Sequence, residues 1–208
     1  MLIFERYEML VLAIPRGSPM VRRLMTLAGI AVVLAGQVPA AVAQPATGSA
    51  IQRNGQTDFD WEMGSWTTKV RVRRNPLSAE APIWVEYQGT SIVKPLADGR
   101  ANAVELSVAG AKGKIEGLSL RLYNPQSRQW SLNFASFGNG MLTAPVYGSF
   151  DGKGRGLFYG QDMLDGRAIL VRFVITRVSS NEARFDQAYS ADGGVTWEDN
   201  WNAVDRRR

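Results

Sequence analysis

The sequence predicts an all-β protein, about ten antiparallel strands in an up-and-down meander that closes into a barrel. Three observations carry that prediction. From Asp58 onward the apolar pattern has period two, and no stretch keeps a helical period beyond two turns. Turn-forming pairs rich in Gly, Asn, Asp and Pro punctuate the chain every eight to fifteen residues. The connections are also too short for crossovers, so successive strands have to pair with one another. A meander of that length either leaves long edges exposed or joins them, and closure removes the edges. A two-sheet sandwich is the alternative, and it needs longer connections than the sequence offers.

Taken in order, a short helix over residues 59–63 is expected to plug the barrel. The first strand, 65–73, stops at Asn75-Pro76. Strand 83–93 runs toward Asp98-Gly99, and strand 101–108 follows it. Strand 117–123 stops at Asn124-Pro125; its Leu118, Leu120 and Leu122 alternate with Ser119, Arg121 and Tyr123, and either set can line the interior. Strand 129–137 precedes strand 145–150, which ends at Asp151-Gly152. Strands 156–163 and 168–178 flank Asp165-Gly166, which reads as a two-residue hairpin turn. The second of these is apolar on both faces and stops at 179–182. Strand 183–189 then meets Asp192-Gly193-Gly194, and strand 196–204 completes the set.

The amino-terminal region predicts export. Met20-Val21-Arg22-Arg23, an apolar run over 24–34, and Ala41-Val42-Ala43 before Gln44 form the three parts of a secretory signal peptide at 20–43. A transmembrane anchor needs about 20 apolar residues, and this run stops at Gly36-Gln37. Residues 1–19 carry Glu5 and Glu8 where a leader is basic, and read as an over-extended start. Residues 44–57, rich in Ala, Gln, Pro, Gly, Ser and Thr, read as a flexible linker to a single domain over 58–208. The expected location is periplasmic or extracellular, with no stable membrane anchor after cleavage.

Composition removes most familiar chemistry. The 208 residues include no Cys and no His, which excludes disulfides, thiolate nucleophiles, Ser-His-Asp triads and cysteine- or histidine-ligated metals. The formal charge of +5 falls to +3 over residues 44–208, with 20 Lys+Arg against 17 Asp+Glu, and Arg206, Arg207 and Arg208 supply that excess. No basic stripe interleaved with aromatics marks a nucleic-acid surface. No phosphate loop, G-x-S-x-G, S-x-x-K or EF-hand pattern occurs. No cofactor, metal or catalytic centre is therefore assigned.

Two resemblances bear on the fold. Phe59 and Gly64-Ser65-Trp66 resemble the G-x-W start of the first strand in calycins, the lipocalin-like group. That resemblance implies a Trp closing the barrel floor against a basic side chain near the last strand, a role that would fall to Arg206 or Arg184. Four segments, 84–89, 120–125, 167–173 and 192–198, are similar to the domain of unknown function 1579 family of secreted bacterial proteins, itself calycin-like. The similarity implies fold and export but no reaction. Separately, Ser190, Asp192, Gly194, Thr196 and Trp197 fit the sialidase Asp-box. Sialidase propellers repeat that motif; a single copy reads as a hairpin device in which Asp192 caps the turn, glycine permits positive φ and Trp197 packs beneath.

Register arithmetic yields a candidate site. A two-residue turn at Asp165-Gly166 pairs Leu164 with Arg167 and Tyr159 with Arg172. A four-residue loop at 179–182 then sets Arg172 opposite Tyr189, and the Asp-box hairpin sets Tyr189 opposite Trp197. The pleat adds Leu157, Gln161, Leu170, Val174, Thr176, Phe185, Gln187, Asp199 and Trp201 to that face, with Arg184, Asp186, Glu198 and Asn200 on the other. Aromatic walls with a few polar groups suit a small-molecule cavity, and Arg172 between rings suits an anion. The expected ligand is therefore small and partly apolar or anionic, held by Tyr159, Arg172, Gln187, Tyr189, Trp197, Asp199 and Trp201, with Glu86 added from strand 83–93. Cross-strand stabilising pairs account for the same row without a ligand. Two other functions remain open. Glu86, beside Trp84 and Tyr87, or Asp199 could serve a hydrolase or isomerase in the same cavity. Alternatively the barrel is filled by its own side chains and acts as an envelope interaction module.

Overall fold

The computed structural model describes residues 53–208. The expected start, the signal peptide and residues 44–52 of the expected linker lie outside the described residues. All ten expected strands are present, with ends within four residues of the predicted ones. They are β1 (Gly64–Arg73), β2 (Trp84–Leu96), β3 (Ala101–Gly110), β4 (Gly113–Asn124), β5 (Gln129–Ser136), β7 (Val146–Phe150), β8 (Arg155–Leu164), β9 (Arg167–Arg177), β10 (Glu182–Ser190) and β11 (Glu198–Arg207). The two-residue β6 (Met141–Leu142) is a spur on β5. Each long strand pairs antiparallel with the next, and β11 returns to β1. The sheet is thus a closed ten-strand up-and-down barrel, which is consistent with the calycin-like resemblance.

One end of the barrel is plugged by the segment before β1. The 3-10 helix Asp60–Glu62 follows Phe59, which is fully buried. The Phe59 ring meets Trp130 and Phe150 edge-on at 4.9 and 5.0 Å. Aromatic pairs in that geometry add about 0.5–1.5 kcal/mol each beyond burial. The plug begins earlier than predicted. Gly55 donates its N–H to the Tyr123 hydroxyl and accepts from Trp130 Nε1, while Arg53 pairs with Asp58. Residues 53–57 are therefore part of the floor and not linker, because two aromatic side chains need their polar atoms satisfied there.

The floor tryptophan behaves as the calycin resemblance implies, but with a different partner. Trp66 is buried, donates Nε1 to the Glu62 carbonyl at 2.7 Å, and lies 4.2 Å from the Arg207 guanidinium. Arg207 also donates to the Trp61 and Met63 carbonyls. Neither Arg206 nor Arg184 serves, because the β1–β11 register sets Trp66 opposite Arg207 and turns Arg206 to solvent.

Of the three hairpins used to derive the site, the first two behave differently, and the third sets Tyr189 opposite Glu198 rather than Trp197. Asp165 and Gly166 have φ of 50° and 77°, the paired positive values of a type I′ turn, and Leu164 pairs with Arg167 as predicted. At the next turn the register slips by one. The Val178 and Ser179 N–H groups both donate to the Glu182 carbonyl, so Glu182 already belongs to β10. Arg172 consequently faces Ala188, and Tyr189 faces Val171. A one-residue slip exchanges the two faces of a strand.

Candidate functional site: the barrel lumen

Burial along each strand defines the interior. Phe158 pairs with Phe173 inside the barrel, so Tyr159 and Arg172, their neighbours in sequence, stand on the outer wall. On β4 the interior set is Ser119, Arg121 and Tyr123; the three leucines face outward, and Leu122 is 44% exposed. The interior encloses a cavity of about 400 Å³ bordered by residues from every long strand. That volume is within the range of small-molecule sites. The barrel is therefore not filled by its own side chains.

The walls are largely apolar, with Val70, Leu106, Phe134, Phe173, Phe185 and Trp201 among them. Phe173 and Phe185 meet edge-on at 5.0 Å. The cavity reaches the end opposite the plug at Pro76, Thr143 and Ala144. The connections and strand ends there carry exposed Ile83, Phe137, Met141, Leu142, Met163 and Val195.

Four polar groups interrupt the walls. Near the plug, Arg121 donates to both Glu62 oxygens at 2.5 and 3.3 Å with its guanidinium 4.3 Å from the Phe59 ring centre. Beside them, Asp205 accepts from Thr68 at 2.5 Å and Ser91 at 3.2 Å, and burial pushes its carboxyl up to about 6. Toward the open end, Gln187 Nε2 donates to Asn200 Oδ1 at 2.9 Å. Tyr189 stands beside both amides, and burial raises its phenol. At the open rim, Arg73 pairs with Glu198 at 2.8 Å. Among the described residues no group of three acidic side chains is arranged to hold a metal ion.

The predicted site residues separate into two sets. Gln187, Tyr189 and Trp201 line the lumen. Tyr159, Arg172 and Trp197 do come together, with Arg172 4.7 Å from the Trp197 ring and Tyr159 5.8 Å from it, but on the outer wall. The anionic reading rested on Arg172, and the β9–β10 slip removes that residue from the cavity. Asp199 and Glu86 are exposed; the Glu86 side chain is 81% accessible and only loosely paired with Arg71 at 4.0 Å. The carboxylate-enzyme alternative needed one of these two in the cavity, and neither is there. The Asp-box turn is a hairpin device as expected. Asp192 accepts from the Thr196 N–H and hydroxyl, contacts that hold its carboxyl well below the usual range, and Trp197 Nε1 donates to the Gly194 carbonyl.

Sequence reasoning missed Glu62, Arg121, Asp205 and Asn200. For Asp205 a signal exists: once Trp66 is set against Arg207, the pleat puts Thr68 opposite Asp205. For Asn200 none does. A bulge in the β10–β11 ladder, between Gln187–Trp201 and Ala188–Asp199, turns it inward.

No family model matches the chain, so the similarity to the domain of unknown function 1579 family gains no such support, and no curated protein matches its sequence. Among solved structures, Rv2717c from M. tuberculosis is similar at 14% identity and TM-score 0.49, covering 75% of this chain and 98% of that one. EF1p2_mFAP2b bound to DFHBI is similar at 10% identity and TM-score 0.42, covering 74% and 99%. A de novo designed fluorescence-activating β-barrel matches at 13% identity and TM-score 0.39, covering 76% and 100%. These likenesses concern the path of a barrel chain.

Proposed function

We propose that the protein is an exported barrel that holds a small, uncharged, largely apolar molecule in its lumen. The carrying observation is a 400 Å³ cavity with apolar and aromatic walls in which the bordering guanidiniums are already neutralised. Arg73 pairs with Glu198 and Arg121 with Glu62 at 2.8 and 2.5 Å, while the Arg184 side chain is mostly exposed. An anion entering the lumen would have to displace one of these carboxylates, and the burial of a charge left unpaired opposes it. Export is supported by the leader pattern at 20–43; amino-terminal sequencing of secreted material should give a chain starting at Gln44, and a start before Met20 would contradict it.

Native mass spectrometry of the protein purified from its host tests the binding role. A co-purifying small molecule is expected, and Ala203→Phe, which fills the lumen from β11, should abolish it. Arg172→Ala and Glu86→Gln, on the outer wall, should retain it. Retention in Ala203→Phe, or loss in Arg172→Ala alone, would place the ligand elsewhere.

A further inference from the structure

We propose that the open end of the barrel docks on a lipid bilayer, with the 137–142 loop inserted into the lipid and the mouth of the lumen held against it. The inference rests on the luminal-binding reading, since the contact serves the passage of an apolar ligand, and it names the surface from which that ligand is collected.

The loop sets large apolar side chains in water. Between β5 and β6 the chain reads Phe137-Gly138-Asn139-Gly140 and continues into Met141-Leu142, with no charged residue. Phe137, Met141 and Leu142 are 63, 63 and 60% exposed. An ordered backbone fixes that exposure. Gly140 donates its N–H to the Ser136 carbonyl at 2.9 Å, Met141 to Asn139 Oδ1 at 3.0 Å, and Phe137 to the Glu116 carbonyl at 3.0 Å. Ile83 before β2, Met163 on β8 and Val195 before β11 extend the same rim. At the plug end, among the described residues, only Leu96, Leu122 and Val178 are comparably exposed. An apolar surface of this kind marks a protein or a membrane contact.

The wall beside the loop favours the membrane. The β7–β8 ladder ends at Tyr147–Tyr159, whereas β5 runs on to Ser136 and pairs there with β6. Residues 161–164 of β8 consequently have ladder partners on β9 alone. The barrel wall is parted at that level. Ala144, Gln161 and Asp162 stand at the parting and border both the lumen and a largely apolar outer groove that continues along Met163, Ala168 and Leu170. A protein seated on the rim would cover this way out, while a bilayer can exchange an apolar molecule through it. Charge agrees with a contact made by insertion. The five connections at this end carry Arg74 and Lys112 against Glu80, Asp165 and Asp192, so no basic excess is there to draw anionic headgroups. The apolar side chains have to supply the binding by entering the interfacial region.

Vesicle flotation tests the docking on the protein in the form its host releases. The parent should float with phosphatidylcholine vesicles, and about 0.5 M NaCl should change the bound fraction by less than about twofold. The triple substitution Phe137→Ser, Met141→Ser, Leu142→Ser should lower partitioning on the order of a hundredfold. Val178→Ser, at the plug end, should leave it unchanged, and circular dichroism checks that each variant folds. No flotation of the parent, equal flotation of the triple variant, or flotation that requires phosphatidylglycerol and is lost in salt would overturn the docking. So would a dimer in analytical ultracentrifugation, in place of flotation, that the triple variant breaks. In each of those cases a co-purifying molecule that Ala203→Phe abolishes would keep the luminal reading standing. Loop-dependent flotation with no co-purifying molecule would instead leave the contact and remove the luminal reading.

Discussion

Replacing Asp205 with Asn should abolish a pH dependence of stability built into the barrel wall. Burial outweighs the hydrogen bonds from Thr68 and Ser91, and nearby Glu62 adds repulsion that Arg121 only partly offsets, so the native carboxyl is pushed from 3.8 up to about 6. The folded state therefore holds this proton more tightly than the unfolded chain does. The resulting stabilisation is complete below pH 3.8 and is lost as pH rises through about 6. A shift of roughly two pK units corresponds to about 3 kcal/mol in full, of which about 2 kcal/mol falls between pH 4.5 and 7.5. Asparagine keeps an oxygen for the two hydroxyls and stays neutral throughout. Urea unfolding at pH 4.5, 6 and 7.5 should show Asp205→Asn gaining about 2 kcal/mol on the parent across that interval at unchanged m. A variant that tracks the parent at every pH would show that Asp205 is solvated or otherwise compensated, and that the polar end of the lumen is not as described.

Two further outcomes follow from the floor. Arg207→Ala removes the guanidinium over Trp66 together with its bonds to two carbonyls, and should cost about 2–3 kcal/mol; Arg206→Ala breaks only an exposed pair with Glu182 and should cost under about 1 kcal/mol. Comparable losses in the two variants by thermal unfolding would contradict the assignment of the floor cation. Phe59→Ala opens a cavity beneath Trp130 and should cost about 3–5 kcal/mol with a red shift of tryptophan emission; an unchanged spectrum and midpoint would mean that the plug does not seal the barrel.

How much of this was legible depends on whether a feature is local. Strands and turns were, because period-two alternation and pairs such as Asp165-Gly166 act within a few residues. The plug was half legible: Phe59 and Trp66 mark it, but the contribution of Gly55 depends on Tyr123 and Trp130, some seventy residues away. The β4 interior was not legible, since leucines on the outer face and Ser119 and Arg121 on the inner one invert the usual order. That inversion is affordable only because Glu62 from the plug meets Arg121, a pairing that strand periodicity does not contain.

The site errors on β8 to β11 have two causes, and each is a change of parity, whereas Glu86 on β2 is a separate miss. Starting β10 at Glu182 rather than Ala183 moves Arg172 and Tyr159 to the outer wall while leaving Gln187 and Tyr189 inside. The bulge at Asn200 does the same on β11. Beyond it toward the turn Glu198 and Asn200 point inward and Trp197 and Asp199 outward; before it Trp201, Ala203 and Asp205 point inward. A regular strand would put Trp197, Asp199 and Trp201 together on one face, as the alternation predicts. The extra residue lets β11 present Trp201 and Ala203 to the middle of the lumen and still turn Asn200 and Glu198, the partner of Arg73, inward nearer the opening. The lumen is thus polar at the plug, where Arg121, Glu62 and Asp205 meet, apolar in its middle and polar again toward the opening, and on β11 the second change falls at one backbone irregularity.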